Sequence, residues 1–268
     1  MGSCANSNRS DRKKPSRACS ALSVALLAAL VCASHGSAQT KLTISAAASL
    51  KDALAEEETT YNQSHSNVDF ENNFGSSGTL ATQIDQGAPV DIFLSAAAKQ
   101  MDELEAKGLV VAGTRRNLLK NALVLIVPLD SQLKDFQGLA SSGIQVIALG
   151  DPGSVPAGQY GQQTLTVLHL FDALKAKLVF GKDVRQVLTY VETGNADAGL
   201  VYATDARASG KVRVVAAAPE STHDPIVYPA AVVKGSRNPE AARMFLDYLS
   251  SPRAGAIFEK YGFTIAAP

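Results

Sequence analysis

The sequence predicts an α/β fold in two lobes, each a mixed, mostly parallel sheet flanked by helices. Short apolar runs alternate with helical patterns from residue 42 onward, which is typical of parallel sheets covered by helices. The runs are too numerous for one compact sheet of about five or six strands. Two long apolar stretches between polar turns, 121–127 and 223–233, suit strands that cross between the lobes. We therefore expect lobe 1 to comprise residues 39–122 and 225–268, and lobe 2 to comprise residues 123–224, with the crossover strands as a hinge.

The first half of the chain alternates regularly between strand and helix. Strand patterns at 42–47, 68–74 and 90–96 are each followed by a helical pattern. The helix after the first strand is expected to have Ser49 or Ala48 at its N-cap.

The second half continues with strands and amphipathic helices. We expect one long helix or a pair of helices over 157–178, and two terminal helices that begin near Pro239 and Pro252. The remaining predicted elements are strands at 121–130, 144–152, 198–202, 212–219 and 226–233, and a helix at 182–194.

Residues 1–38 have the pattern of a secretory signal peptide. A basic segment precedes the apolar run 21–33, and small residues suit cleavage after Ala38. The apolar run is shorter than the roughly 20 residues of a membrane-spanning helix, although a retained anchor is the alternative. All three cysteines lie in this leader, and Val31 before Cys32 disfavours a lipoprotein site. We therefore expect a periplasmic protein without disulfides.

The charge of the remaining chain argues against nucleic-acid binding. The first 40 residues hold five basic and one acidic side chain, which leaves 20 basic and 24 acidic ones, a net charge of −4. No cluster of Lys and Arg with interleaved aromatic residues occurs in the sequence.

Two strand-to-helix turns carry serine and glycine but no charged group. They are "AAASL", with Ser49, and "FGSSG", with Ser76 and Ser77. Helix N-termini have unpaired N–H groups and a partial positive charge, and so they bind anions without a cation. The alternative is that these serines are ordinary N-caps. Lys51 and Arg185 are interpreted as solvated helix residues.

Six blocks, in order, resemble the periplasmic molybdate-binding proteins that serve ABC importers. They are "AAASLKDAL", "FGSSGTLATQIDQGAPVDIFLSA", "GDPGSVPAGQY", "DVRQVLTYVETGNADAGLVYATDA", "VYPAAVV" and "FLDYLSSPRAGAIFEKYGFT". The resemblance implies a two-lobed, type II periplasmic-binding-protein fold that closes on molybdate or tungstate. It further implies delivery to a membrane permease with its cytoplasmic ATPase; we expect a monomer without a cofactor. The ligand residues that it implies are Ser49, Ser77, Ala157, Val184 and Tyr202, where Ala157 and Val184 act through their amides. The sequence "GSSG" leaves open whether Ser76 or Ser77 donates.

The residues also bear on three competing functions. An enzyme is disfavoured because no base can be assigned to a serine: His65 lies in a polar turn and His169 in an apolar helical stretch. A site for a metal cation is disfavoured because His, Asp and Glu do not occur at ligand spacing. A binding protein for another oxyanion, such as sulfate, remains the alternative, since rejection of sulfate depends on the size of the cavity.

Overall fold

The computed structural model describes residues 39–266. In this range the strands are β1 Thr40–Ala47, β2 Val68–Gly75, β3 Ile92–Leu94, β4 Arg116–Lys120, β5 Leu123–Pro128, β6 Ile147–Gly150, β7 Leu178–Gly181, β8 Ala198–Tyr202, β9 Val212–Ala217, β10 Val227–Val232 and β11 Thr264–Ile265. The predicted signal peptide, residues 1–38, lies outside the described residues.

The helices of the same range lie between and beside these strands. They are α1 Lys51–Asn62, α2 Ser77–Asp85, α3 Ala98–Ala106, α4 Pro156–Val167, α5 Phe171–Leu174, α6 Val184–Glu192, α7 Ala203–Arg207, α8 Pro239–Leu249 and α9 Pro252–Lys260. None of the helices within residues 39–266 combines the length and the apolar character that a membrane crossing needs. The predicted alternative of a pair of helices over 157–178 is confirmed by α4 and α5, but its end is wrong, because Leu178 begins strand β7.

The strands form two sheets flanked by helices, as predicted. One sheet has six strands in the order β11-β4-β10-β3-β1-β2, and the other has five in the order β7-β6-β8-β5-β9. The sheets are mixed, but the prediction that they are mostly parallel is wrong, since five of the nine strand pairings are antiparallel. Four of the five antiparallel pairings involve β5 or β10, the strands that enter from the other sheet, and the fifth joins β11 to β4.

The chain passes between the sheets twice. Asn121 and Ala122 connect β4 of the six-stranded sheet to β5 of the five-stranded sheet, and residues 218–226 lead back from β9 to β10. Both passages fall near the expected crossovers; the exact lobe boundaries stay a prediction.

The core lies on the faces of both sheets. Leu42 and Ile44 of β1 and Leu125 and Ile126 of β5 have no exposed surface, and they belong to one continuous apolar cluster. A smaller cluster lies beneath α2 and α3, around Leu80. This packing holds the strands rigidly, so the loops at their carboxyl ends have fixed positions.

Candidate anion-binding site

The five predicted ligand residues line one buried cavity. Its lining comprises Ala47, Ala48, Ser49, Gly75, Ser76, Ser77, Ala96, Val155, Pro156, Ala157, Val184 and Tyr202. The room inside is about 10 Å³, close to the space that one water molecule needs. Residues distant in the sequence thus meet around a space suited to a small ligand.

The cavity lies at the carboxyl ends of strands from both sheets. Strands β1, β2 and β3 of the six-stranded sheet lead into the turns that carry Ser49, Ser77 and Ala96. From the five-stranded sheet, β6 and β7 lead to Ala157 and Val184, and β8 ends on Tyr202. This is where α/β sheets bind ligands, because the helix N-termini converge there.

Ser76 and Ser77 have different roles in the second turn. Ser76 is the N-cap of α2: its Oγ accepts from the Thr79 N–H at 3.2 Å and donates to Thr79 Oγ1 at 2.8 Å. Ser77 is fully buried, and its Oγ accepts from the Ala96 N–H at 2.9 Å. The Ser77 hydroxyl makes no other hydrogen bond to residues 39–266. Its hydrogen is therefore available to a ligand, whereas that of Ser76 is committed.

Ser49 is not a helix cap, which corrects the sequence prediction. It lies in a short 3-10 helix, Ala48–Leu50, and Leu50 is the N-cap residue of α1. Its Oγ lies 3.0 Å from the hydroxyl of Tyr228. The interpretation of the turn serines as ordinary N-caps is therefore right for Ser76 and wrong for Ser49 and Ser77.

Two main-chain amides face the cavity from helix N-termini. Pro156 at the start of α4 has no N–H, so Ala157 supplies the first N–H of that helix. Val184 is the first residue of α6, whose N-cap Asp183 accepts from the Gln186 N–H at 2.9 Å. Amides in the first turn of a helix have no partner within the helix, and the helix dipole makes them favourable for an anion.

Tyr202 completes the lining as a neutral phenol. Only 1% of its surface is exposed, and its hydroxyl lies 3.4 Å from the Ala96 carbonyl, to which it donates. Burial raises the pKa of Tyr202 well above its usual value, so the hydroxyl keeps its proton at neutral pH. A ligand oxygen could replace this long bond with a shorter one.

The chain matches a known family over most of its length. The chain matches the family of bacterial extracellular solute-binding proteins over residues 42–264. It belongs to this family. The sequence is 43% identical over 233 residues to the molybdate-binding protein ModA of Escherichia coli K12, covering 84% of this chain and 89% of that protein.

Two further relatives cover most of the chain. YvgL of Bacillus subtilis, which carries the provisional name of an ABC transporter substrate-binding lipoprotein, is 50% identical over 225 residues, 83% of this chain and 86% of that protein. The solved structure of the periplasmic molybdate-binding protein of Azotobacter vinelandii superposes with a TM-score of 0.76 at 28% identity, covering 84% of this chain and all of that one. The similarity extends over both sheets.

This solute-binding protein holds its charged groups away from the lining. Within the described part of the chain, none of the residues that line the cavity is charged. Lys51 is exposed, as predicted. The prediction of a solvated Arg185 is wrong, because Arg185 lies 2.7 Å from a carboxylate oxygen of Asp52 and 2.7 Å from one of Asp205. Burial raises the pKa of Asp205 to about 6, and Arg185 opposes that rise.

Groups for acid–base or metal chemistry are not gathered at the site. Residues 39–266 contain no group of three His, Cys, Asp or Glu side chains placed to hold a metal ion. His65 stacks on Tyr61, with ring centroids 3.9 Å apart. The placement of His169 in a helix is wrong, because it lies exposed in the turn after α4 with a φ of 58°.

Four residues support the site, and the sequence pattern missed all of them except Gly78. Asn121 donates to the hydroxyl of Tyr228, and this hydroxyl lies within hydrogen-bond distance of Ser49 Oγ. The Ala96 amide orients Ser77. Gly78 lets α2 approach the loop before α4, where its N–H donates to the Ser154 carbonyl at 2.9 Å. Only the glycine offered a local signal, in "GSSG", because the other contacts join positions far apart in the sequence.

Proposed function

We propose that this solute-binding protein captures molybdate or tungstate in the periplasm and delivers it to the permease of an ABC importer with a cytoplasmic ATPase. The observation that carries the proposal is the convergence of Ser49, Ser77, Ala157, Val184 and Tyr202 on one small buried cavity. Each of the five offers a neutral hydrogen-bond donor, through a hydroxyl or a main-chain amide.

A donor set without positive charge suits a small dianion. Hydrogen bonds to a charged acceptor contribute about 1.5–3 kcal/mol each, roughly twice the value between neutral groups. The N-termini of α2, α4 and α6 add aligned dipoles at the same point. Fixed dipoles act strongly because a buried site has a lower effective dielectric constant than water.

The relatives support the choice of ligand. The E. coli protein named for molybdate binding shares 43% identity over most of both chains, and the A. vinelandii molybdate-binding protein has the same fold.

The proposal includes the organisation of the whole chain. Residues 1–38 act as a cleaved signal peptide, and the protein works as a monomer in which residues 39–122 with 225–268 form one lobe and residues 123–224 form the other. The anion then bridges the lobes, since Ser49 and Ser77 belong to the first and Ala157, Val184 and Tyr202 to the second.

Calorimetric titration of the protein, unfolded and refolded to remove any bound anion, tests the function. We expect molybdate and tungstate to bind tightly and sulfate and phosphate weakly. Tight sulfate binding with weak molybdate binding would keep the oxyanion site and overturn the ligand. If none of the four anions binds, the proposed function is wrong.

A further inference from the structure

The side-chain amide of Asn121 is held in one orientation at the passage between the sheets. Its oxygen accepts from the Ala122 N–H at 2.9 Å, and its nitrogen donates to Thr204 Oγ1 at 2.9 Å and to Tyr228 Oη at 3.2 Å. A main-chain N–H can only donate, so the amide oxygen must face Ala122. The two hydrogens of the amide nitrogen therefore point at the two hydroxyl groups.

Tyr228 consequently receives a hydrogen bond on one side and must place its own hydrogen on the other. Only 1% of the residue is exposed, and burial together with nearby Asp205 raises the pKa of Tyr228 well above its usual value. Its hydroxyl thus keeps its hydrogen, and Ser49 Oγ lies 3.0 Å away. If Ser49 donated to Tyr228 as well, the phenolic hydrogen would be buried without an acceptor, which costs about 1–3 kcal/mol. The favoured chain of donation runs from Asn121 to Tyr228 to Ser49.

Ser49 therefore keeps its hydroxyl hydrogen for a ligand in the cavity. When Tyr228 donates to one lone pair of its Oγ, the Ser49 hydrogen has no other acceptor among residues 39–266. We propose that Tyr228 and Asn121 are positioning residues that fix Ser49 as a hydrogen-bond donor to the ligand. The inference rests on the proposed oxyanion-binding function and deepens it by naming residues that set its specificity.

A main-chain N–H fixes the hydroxyl of Ser77 as a donor to the cavity in the same way. Its Oγ accepts from the Ala96 N–H at 2.9 Å, which leaves its hydrogen for the cavity. Because a main-chain amide cannot reverse its role, Ser77 is a fixed donor without help from another side chain. Both serines thus present their hydrogens to the ligand. The hydrogen of Ser49 is directed by the chain of donation from Asn121 through Tyr228, here called the relay, which substitutions can break.

The consequence is discrimination by protonation. Molybdate, tungstate and sulfate carry no proton at neutral pH and need donors only, whereas hydrogen phosphate carries a proton that needs an acceptor. Ser49 accepts such a proton best when its own hydrogen turns toward Tyr228, because both lone pairs of its Oγ then face the cavity. The phenolic hydrogen blocks that direction, and Asn121 holds the phenol in place. The cavity therefore disfavours protonated oxyanions of suitable size.

Two substitutions release the relay by different means. Tyr228→Phe removes the hydroxyl but keeps the ring, so the Ser49 hydroxyl can turn. Asn121→Asp replaces the donor to Tyr228 with an acceptor, so the phenol can reverse and accept from Ser49. The added negative charge in Asn121→Asp weakens all dianions alike, and ratios between anions cancel that effect.

The measurement is calorimetric titration at pH 7.5 with sodium molybdate, sodium sulfate and inorganic phosphate. Where sulfate or phosphate binds weakly, its affinity is measured from its competition with molybdate. In the parent we expect sulfate to bind more tightly than phosphate. In both variants we expect this preference to fall by about tenfold or more, the value of one charge-assisted hydrogen bond. The preference of molybdate over sulfate depends on size, and we expect it to change by less than about twofold.

The outcomes separate this inference from the proposed function. A parent that binds no oxyanion overturns the function and the inference together. A parent that binds molybdate but does not prefer sulfate to phosphate, or variants that keep the preference, overturn the relay alone. Tyr248→Phe is the matched control: it removes a hydroxyl that donates to Glu57 at 2.7 Å, does not line the cavity, and should leave both preferences unchanged. Melting temperatures verify that each variant is folded.

Discussion

Gly78→Ala should weaken ligand binding without destabilising the ligand-free protein. Gly78 is the second residue of α2, and its N–H donates to the carbonyl of Ser154 at 2.9 Å. A Cβ on Gly78 would lie 2.5 Å from the Ser154 oxygen and 2.9 Å from its Cα. The first distance is roughly 1 Å below the optimal separation of non-bonded atoms, so α2 and this loop would have to move apart.

The size of the effect follows from where the overlap occurs. Overpacking costs about 1–3 kcal/mol, which corresponds to about a 5- to 150-fold increase in the Kd for molybdate if the contact forms only in the closed, liganded arrangement. The ligand-free protein should not suffer, because alanine is favoured over glycine within a helix by about 1 kcal/mol.

Calorimetric titration with molybdate and the melting temperature of the ligand-free variant give the two readings. Gly255→Ala in α9 is the matched control, since its Cβ would meet Ile265 at an ordinary 3.5 Å. An unchanged Kd in Gly78→Ala would refute the contact as part of the liganded state. If the ligand-free Gly78→Ala variant loses as much stability as its binding free energy for molybdate falls, the contact is also present without ligand, and closure around the ligand is refuted.

Three further predictions follow from the same contacts. Ser49→Ala and Ser77→Ala should each weaken molybdate binding by about 1.5–3 kcal/mol in calorimetry, whereas Ser76→Ala should lower helix stability by about 1 kcal/mol and leave the affinity near that of the parent; equal affinities in all three would contradict the site. Molybdate at a hundredfold excess over Kd should stabilise the fold by about 2.7 kcal/mol and reduce the radius of gyration in small-angle scattering. If neither the stability nor the radius of gyration changes, both the choice of ligand and the closure of two lobes are contradicted. Glu57 is fully buried, and burial raises its pKa to about 8, above the unfolded value, so its protonation favours the fold at acid pH and stability falls as pH rises toward 8. Glu57→Gln should make this fall smaller in urea unfolding between pH 5 and 8, where Glu58 and Asp205, with pKa values raised to about 7 and about 6, contribute the remainder; a parallel pH dependence in both proteins would refute it.

The two strand-to-helix turns that line the cavity were predictable because their signals are local. A strand end, a small residue and a helical pattern occur within about ten residues of each other at Ser49 and Ser77. Such a sequence specifies a helix N-terminus at the carboxyl edge of a sheet, and the edge gathers these ends from several strands. Local pattern thus indicated the kind of site, and the resemblance indicated the amides of Ala157 and Val184.

The strands that the pattern missed are those with the least apolar signal. In β4, "RNLLK" has only two buried residues, and β11 has two residues in all. Strand β7 is an edge strand of four residues that directly follows helical turns, so its apolar residues read as a continuation of the helix. Their pairing with neighbours, rather than their own composition, makes them strands.

The support around the site depends on contacts that no local window contains. Tyr228 lies 179 positions from Ser49, and Arg185 lies 133 positions from Asp52. A tyrosine in an apolar strand is usually a core residue, and nothing in "IVYPAAVV" indicates that its hydroxyl reaches a serine of the other end of the chain. Arg185 follows a predicted amide ligand on a helix, where solvent exposure is the usual state.

The ion pair of Arg185 with Asp52 joins α6, whose first residue lines the cavity, to α1, which follows the short helix that carries Ser49. Arg185 follows Val184 in α6, and Asp52 lies in the first turn of α1, just after Ser49. The two side chains are 26% and 43% exposed, and pairs of that exposure contribute only about 0–1 kcal/mol.

Each hydrogen bond from a cavity donor to a dianion contributes about 1.5–3 kcal/mol, and five such donors far exceed the ion pair. A ligand shifts a conformational balance only by its differential affinity for the two states. We therefore expect a bound anion, rather than Arg185, to supply most of the free energy that would hold the turn of Ser49 against α6. An arginine in direct contact with the ligand would bind any anion strongly, whereas neutral donors of fixed direction select by size and protonation.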